Sequence, residues 1–393
     1  MKRLLSLALV LIFILCGCSA ENGQEQSEFT DKNAGKASLG IWFSFSEINS
    51  MLLSEKGFET ELQQAVENCR SLKAENVYIH VRSYCDSLFP SDYFPLIAEA
   101  ANYDYDIFEA VIKAFREAGI KVHAWINPYR VLTSSSDPQK LSEKSPAYKW
   151  LKDADSENDR NVCIWQGIYL NPAEAEVRRL VIDGIRELMR NYAVDGIHFD
   201  DYFYPTADPD FDRVSYESYC EGSKNPLSLE NWRRANVNAL ISGCYTAIKA
   251  INGDTVFSIS PAASIENNYT ALFADVEEWV QSGYVDTVIP QLYFGFDYPA
   301  AEYRFEKLLL DWKRLVSCNP QVELLIGLAS YKIGTDAAPD NAEWEQSADI
   351  IPRQAKVCLE DGVAAGYVLF SYSSVFSDRE LNQKQRQGLS EIS

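Results

Sequence analysis

Two adjacent carboxylates, Asp200 and Asp201, lie within the run Asp195-Gly196-Ile197-His198-Phe199-Asp200-Asp201-Tyr202-Phe203-Tyr204-Pro205. Ile197 and Phe199 alternate with His198 and Asp200, the period of a buried strand, and the run then breaks into aromatics and a proline. A strand that ends this way presents its C-terminal tip to a site. If the strand continues, His198, Asp200 and Tyr202 share one face and Asp201 takes the other, so the spacing predicts two carboxylates in different environments. Hydrolysis of a glycosidic bond needs such groups: one protonates the leaving oxygen, and the other acts as nucleophile or activates water.

Asp86, Asn127, Arg130, Ser260, Glu266, Gln291, Tyr293 and Tyr331 fall at or just past the ends of other stretches that read as strands. Bringing them together requires strand ends set side by side. The periodicity predicts strands over Leu39 to Ser46, Asn76 to Arg82, Lys121 to Asn127, the run ending at Asp200, Val256 to Ser260, Asp286 to Tyr293, Glu323 to Tyr331 and Gly366 to Ser371. Helical spacing follows each one. The helices are expected over Glu59 to Ala74, Asp106 to Gly119, Asn171-Pro172 to about Tyr192, Leu229 to Ile251, Tyr269 to Gln281, Ala300 to Val316 and Ser347 to Gly362, with a last one from Arg379. Strands without a wet face that alternate with helices predict an α/β fold, a single-domain (β/α)8 TIM barrel whose site lies at the C-terminal strand ends.

Two connections on that side, Arg130 to Ile168 and Tyr204 to Ser228, are long and carry Tyr148, Trp150, Trp165, Phe211, Tyr216 and Tyr219. Aromatic rings stack on the apolar faces of sugars, so these loops are expected to wall a saccharide groove. The three histidines, His80, His123 and His198, fall on neighbouring strands and with Asp200 could form a metal site. No His-x-His follows the first strand, and His198 is read as orienting the site, so neither metal nor cofactor is expected. No Gly-x-Ser-x-Gly elbow, Walker loop or Gly-x-Gly-x-x-Gly fingerprint occurs, which leaves serine hydrolase, nucleotidase and dinucleotide readings without support.

Residues 1–18 combine a basic start with an apolar run too short to span a bilayer comfortably, and Leu15-Cys16-Gly17-Cys18 resembles a bacterial lipoprotein signal. Cys18 is then the lipid-bearing residue, residues 19–37 a flexible polar tether, and 38–393 the barrel, which places the protein in the cell envelope on a lipid anchor. The net charge of −21, from 36 basic and 57 acidic residues, argues against nucleic acid as a partner and favours a neutral or weakly charged substrate. The seven cysteines beyond the signal are widely spaced with no Cys-x-x-Cys, so most are expected to be buried thiols.

The segments KVHAWINPYR (Lys121 to Arg130), GIYLNPAEAEVR (Gly167 to Arg178), VDGIHFDDYFYP (Val194 to Pro205), NWRRANVNALI (Asn231 to Ile241) and VDTVIPQLYF (Val285 to Phe294) resemble the glycosyl hydrolase-like family 10 domain, in the family's order. The resemblance runs from about Leu39 to the eighth strand. It implies a (β/α)8 barrel in envelope or secreted proteins acting on polysaccharide, with peptidoglycan glycan strands among the substrates of the family. Asp195 to Asp200 is also similar to the strand-four motif of the alpha-amylase superfamily, whose last Asp is the nucleophile of a retaining mechanism, and that likeness implies the role for Asp200. After strand five the family has Ser-Pro-Phe-Gly and then Ile-Trp-Arg-Asn, whereas this chain has Ser260-Pro261-Ala262-Ala263-Ser264-Ile265-Glu266-Asn267. Glu266 stands where the arginine would be and is one candidate for the general acid, beside Asp201 and Asp86. The expected glycan contacts are Asp86, Asn127, Arg130, His198, Tyr202, Gln291, Tyr293 and Tyr331. The altered strand-five loop keeps open an alternative, a glycan-binding lipoprotein that uses the same groove without turnover.

Overall fold

Short runs rich in β-branched and aromatic residues, apolar on both faces, form strands that must be covered on both sides. In the computed structural model, which describes residues 37–336 and 342–392, eight of them close into a parallel barrel. The signal, Cys18 and nearly all of the expected tether lie outside the described residues. The chain enters with β1 (Ser38–Phe43), β2 (Asn76–Arg82) and β3 (Lys121–Ile126), then leaves the barrel for a separate antiparallel sheet of β4 (Arg130–Leu132), β5 (Val162–Ile164) and β6 (Ile168–Leu170). It returns with β7 (Gly196–Phe199), β8 (Val256–Ile259), β9 (Thr287–Val288), β10 (Glu323–Leu328) and β11 (Gly366–Leu369), and β11 pairs with β1 from Ser38↔Gly366 to close the ring.

Apolar side chains divide into two sets. Those facing outward, such as Ile41, Ile79, Ala124, Ile197 and Phe199, pack with the apolar faces of the surrounding helices. The helix Ile107–Glu117, for example, buries Val111, Ile112 and Phe115 and is capped by Asp106, whose side chain accepts from the Glu109 N–H at 3.1 Å. Each such buried large side chain contributes about 1.5–3 kcal/mol. The second set, Trp42, Tyr78, Trp125, Ile289, Leu325 and Val368, fills the barrel interior.

The histidines lie among that interior set. His123 stacks on Tyr78 with centroids 4.7 Å apart, and its Nε2 meets Asn76 Oδ1 at 3.0 Å. This packing explains the glycine in the Asp195-Gly196-Ile197-His198 motif: a Cβ on Gly196 would sit 2.1 Å from His123 Nδ1 and 2.9 Å from the Val256 carbonyl. Gly196→Ala is therefore expected to destabilise the barrel by about 1–3 kcal/mol. Denaturant unfolding will show it as a lower midpoint with an unchanged slope.

Several boundaries differ from the sequence reading. The first strand stops at Phe43 because Ser44 caps the helix Phe45–Leu52 in a capping box with Glu47. The sixth strand shrinks to Thr287–Val288, since Pro290 has no N–H for the ladder, and Gln291 rejoins only by isolated bridges to Ala262 and Gly327. The helix expected over Tyr269 to Gln281 is two short ones, Ile265–Thr270 and Val276–Gln281, separated where Phe273 takes a positive φ of 51°. The helix expected from Asn171-Pro172 starts at Ala175, because the Asn171 amide is engaged by the Arg160 carbonyl at 2.8 Å and Ser215 Oγ at 3.0 Å. The two long connections are structured: the first holds β4 to β6 and the helix Pro146–Lys152, the second the helix Arg213–Gly222. All seven cysteines of the described residues are free thiols.

Candidate active site

β7 ends at Phe199, so Asp200 and Asp201 lie past the last strand position and strand alternation no longer separates them. Both line one pit of about 320 Å³ at the C-terminal mouth of the barrel, contrary to the opposite faces that the spacing predicts. Its lining is rich in aromatics: Trp42, Phe45, Trp125, Tyr202, Tyr293 and Phe370.

Asp200 is only 3% exposed and is held by three groups. Trp125 Nε1 donates to Oδ2 at 3.2 Å, Asn127 Nδ2 donates to Oδ1 and Oδ2 at 3.1 and 3.2 Å, and the Tyr202 backbone N–H donates to Oδ1 at 3.3 Å. The Asn127 oxygen in turn accepts from the Tyr129 and Arg130 N–H groups at 3.3 and 3.0 Å, which fixes the amide. Asn127 is buried behind Asp200 and is a positioning residue, which replaces its expected place as a sugar contact.

His198 lines the pit with both ring nitrogens occupied. An indole only donates, so Trp42 Nε1, 3.0 Å from His198 Nε2, requires that nitrogen to be unprotonated; the ring proton then sits on Nδ1 and is donated to Ser258 Oγ at 2.9 Å. Burial keeps the ring neutral by pushing its pKa well down, reinforced by His123 and His80. His80 lies flat on Trp125, with centroids 3.8 Å apart. Thus the inner face of the barrel braces the indole that braces Asp200.

Burial first, and the charge of Asp201 second, push Asp200 up to about 7; Arg130, Asn127 and the Tyr202 N–H act in the other direction. Asp201 is raised as well, chiefly by burial, offset by a hydrogen bond from Gln291. Asp200 therefore keeps its proton up to about pH 7 beside the charge of Asp201.

Arg130 lies between two tyrosine rings, its Cζ 4.1 Å from the centroid of Tyr202 and 5.0 Å from that of Tyr84. Gln291 donates from Nε2 to the Ser260 carbonyl at 3.0 Å, which aims its amide across the pit. Tyr293 stacks on Phe370 at 5.9 Å and meets Tyr331 edge-on at 5.7 Å. Arg130, His198, Tyr202, Gln291, Tyr293 and Tyr331 are thus brought to the carboxylates.

Two expected residues are not. Asp86 accepts from the Ser83 and Tyr84 N–H groups at 3.2 and 3.0 Å and closes the turn after β2, outside the pit. Glu266 is exposed in the first turn of Ile265–Thr270, a helix capped by Ser264, and borders a different cleft on the outer surface. None of the aromatics expected to wall a groove lines the pit. Tyr216 and Tyr219 pack on Trp232 at 5.2 and 5.7 Å, Phe211 meets Tyr204 at 5.8 Å, and Trp150 and Trp165 pack against the main core.

The site residues that the sequence reading missed include Trp42, Phe45, Trp125, Ser258 and Phe370. For Trp125 a signal existed: in Lys121 to Asn127 it shares a strand face with His123 and Asn127.

Residues 39–346 match the family described as glycosyl hydrolase-like 10. The chain is 30% identical over 334 residues to a Bacillus subtilis (strain 168) protein named glycosyl hydrolase YngK, covering 78% of this chain and 63% of that protein, so it spans somewhat under two thirds of that relative's length. Glycosyl hydrolase DigH of Escherichia coli (strain K12) is 26% identical over 431 residues, 97% of this chain and 94% of the relative. Among solved structures, the PgaB (BpsB) glycoside hydrolase domain from Bordetella bronchiseptica superposes with a TM-score of 0.60 at 14% identity, covering 90% of this chain and 99% of that one. That last likeness is one of fold.

Proposed function

The chain belongs to the glycosyl hydrolase-like 10 family, and from that premise we propose that it is a glycoside hydrolase that cleaves a cell-envelope or extracellular polysaccharide by means of the Asp200–Asp201 pair. Peptidoglycan glycan strands are the first substrate to try. The observation that carries the reading is the pair itself: two carboxylates in one aromatic pit, at the barrel end where this fold does its chemistry, with a proton held on Asp200 up to about pH 7.

Asp201, the more open of the two, takes up the proton of Asp200 when the sugar binds and delivers it to the glycosidic oxygen as the bond breaks. Asp200, oriented by Trp125 and Asn127, carries the negative charge that faces the developing oxocarbenium ion, as nucleophile or as the base for water. Tyr202, half exposed beside the pair, and Tyr293 offer apolar ring faces to the sugar on either side. The lipoprotein-like signal ending at Cys18 supports an envelope location, with the barrel held to a membrane by lipid.

The test is release of new reducing ends, identified by mass spectrometry, from peptide-free peptidoglycan strands, chitin oligomers and alpha-glucans. The reading expects one of these to be cut, with turnover falling as pH rises through about 7, because the proton of the pair is lost there. Affinity for a glycan without any new reducing end would show a binding protein and defeat the catalytic reading.

A further inference from the structure

The pit does not stand alone. A side pocket of about 210 Å³ shares Phe45 and His80 with it. An outer trench of about 400 Å³ shares Tyr84 and Asp86 with the side pocket and runs on between the turn after β2 and the segment that follows β4. Tyr84 sits where these meet, its ring edge-on to Phe45 at 5.2 Å and beneath Arg130, whose Cζ is 5.0 Å from the ring centroid.

The junction is held from behind and open in front. Asp86, excluded from the pit, accepts the N–H groups of Ser83 and Tyr84 and so fixes the backbone from which the ring projects. Buried Arg130 Nε makes no hydrogen bond, and neither the guanidinium nor the Tyr84 hydroxyl bonds to another described residue. The trench is lined by apolar groups (Pro95, Leu132, Leu141), by hydroxyls (Thr133, Ser134, Ser142) and by Lys140. A lining that combines apolar groups with hydroxyls suits the surface of a sugar, whose ring faces are apolar and whose edges carry hydroxyls.

We propose that the bound glycan runs from the pit past Tyr84 into this trench, so that the protein takes a chain several sugars long on that side. Tyr84 is the wall of the first position beyond the pit, and Asp86 is its positioning residue. The proposal rests on the glycan reading of the pit. It adds that recognition grows with chain length, in the direction of the segment after β4.

The experiment measures Kd by calorimetry on the Asp200→Asn protein, which keeps the pit but does not consume the ligand. The probes are chitin oligomers of two to eight sugars and peptide-free peptidoglycan fragments of matching lengths. We expect Kd to tighten with length in at least one series, by about tenfold or more across it. Tyr84→Ala and Ser142→Trp, the second of which fills the trench, should each abolish that tightening, with melting temperatures confirming that both variants are folded. Affinities independent of length in both series, or variants that weaken every length equally, would overturn the trench. Length-dependent binding without hydrolysis by the unmodified protein would instead overturn the catalytic reading and leave the trench in place.

Discussion

Asp200→Asn will abolish turnover, by at least about 10²- to 10⁴-fold on whichever glycan the unmodified protein cleaves, while leaving the fold intact. The loss follows from chemistry that the amide cannot do: it neither forms a glycosyl ester nor accepts a proton from water. Its shape still fits the space that Trp125, Asn127 and the Tyr202 N–H enclose, so binding should persist. Steady-state kinetics will therefore show the effect in kcat rather than in KM. Undiminished kcat would remove Asp200 from the mechanism.

The same substitution has a second, opposite signature in stability. Asp200 is raised from an ordinary value of 3.8 to about 7 in the folded protein. Between those two values the native state binds a proton that the unfolded chain has already released, so stability falls as pH rises through that window and is lowest above it. The full shift corresponds to roughly 4 kcal/mol, of which about 3 kcal/mol falls between pH 5 and pH 8. Asp200→Asn removes the titration. Its stability relative to the unmodified protein should accordingly improve by that amount from pH 5 to pH 8, whatever constant change the altered hydrogen bonds add. Stability differences that stay constant across this range would show that Asp200 is not raised in the folded protein.

The barrel was legible because two periods alternate along the chain, and because the strands carry few charged groups and are buried on both faces, as in Gly196 to Phe199 and Gly366 to Leu369. Strand ends were less legible, and the site lies at strand ends. Asp201 was assigned to the wrong face because alternation was carried two residues past Phe199, and Ser44 was read as strand although Ser44-x-x-Glu47 spells a capping box. The links that hold the site are long in sequence: Trp42 and His198 are 156 residues apart, and no local pattern announces their hydrogen bond. The aromatic loops failed for a different reason. Composition reveals that rings are present but not what they pack on, and Tyr216 and Tyr219 found Trp232 before any sugar could.

The loop after Asp200 and Asp201 depends on one buried ion pair, and breaking it is expected to have the largest effect on stability. Arg233 and Asp212 are both fully buried. The guanidinium donates from Nε to both Asp212 oxygens, at 3.2 and 3.0 Å, from NH1 to the Ala207 carbonyl at 3.1 Å and from NH2 to the Asp208 carbonyl at 2.8 Å. It also lies 5.1 Å from the ring of Tyr204 and 4.9 Å from that of Phe273. One side chain of the helix Leu229–Ile251 thus gathers the backbone just downstream of Asp200 and Asp201. Asp212→Ala leaves that cation buried without its counter-charge, which destabilises by about 3–5 kcal/mol. Replacing both partners, Arg233→Met with Asp212→Leu, should recover only part of this, because the Ala207 and Asp208 carbonyls then lose their donor. Thermal unfolding of the two variants measures the difference. Because the gathered loop begins at the carboxylates, kcat at temperatures where Asp212→Ala remains folded should fall as well. A stable Asp212→Ala protein with full activity would mean that the tip of β7 is held by the barrel interior alone, through Trp125, Asn127 and His198.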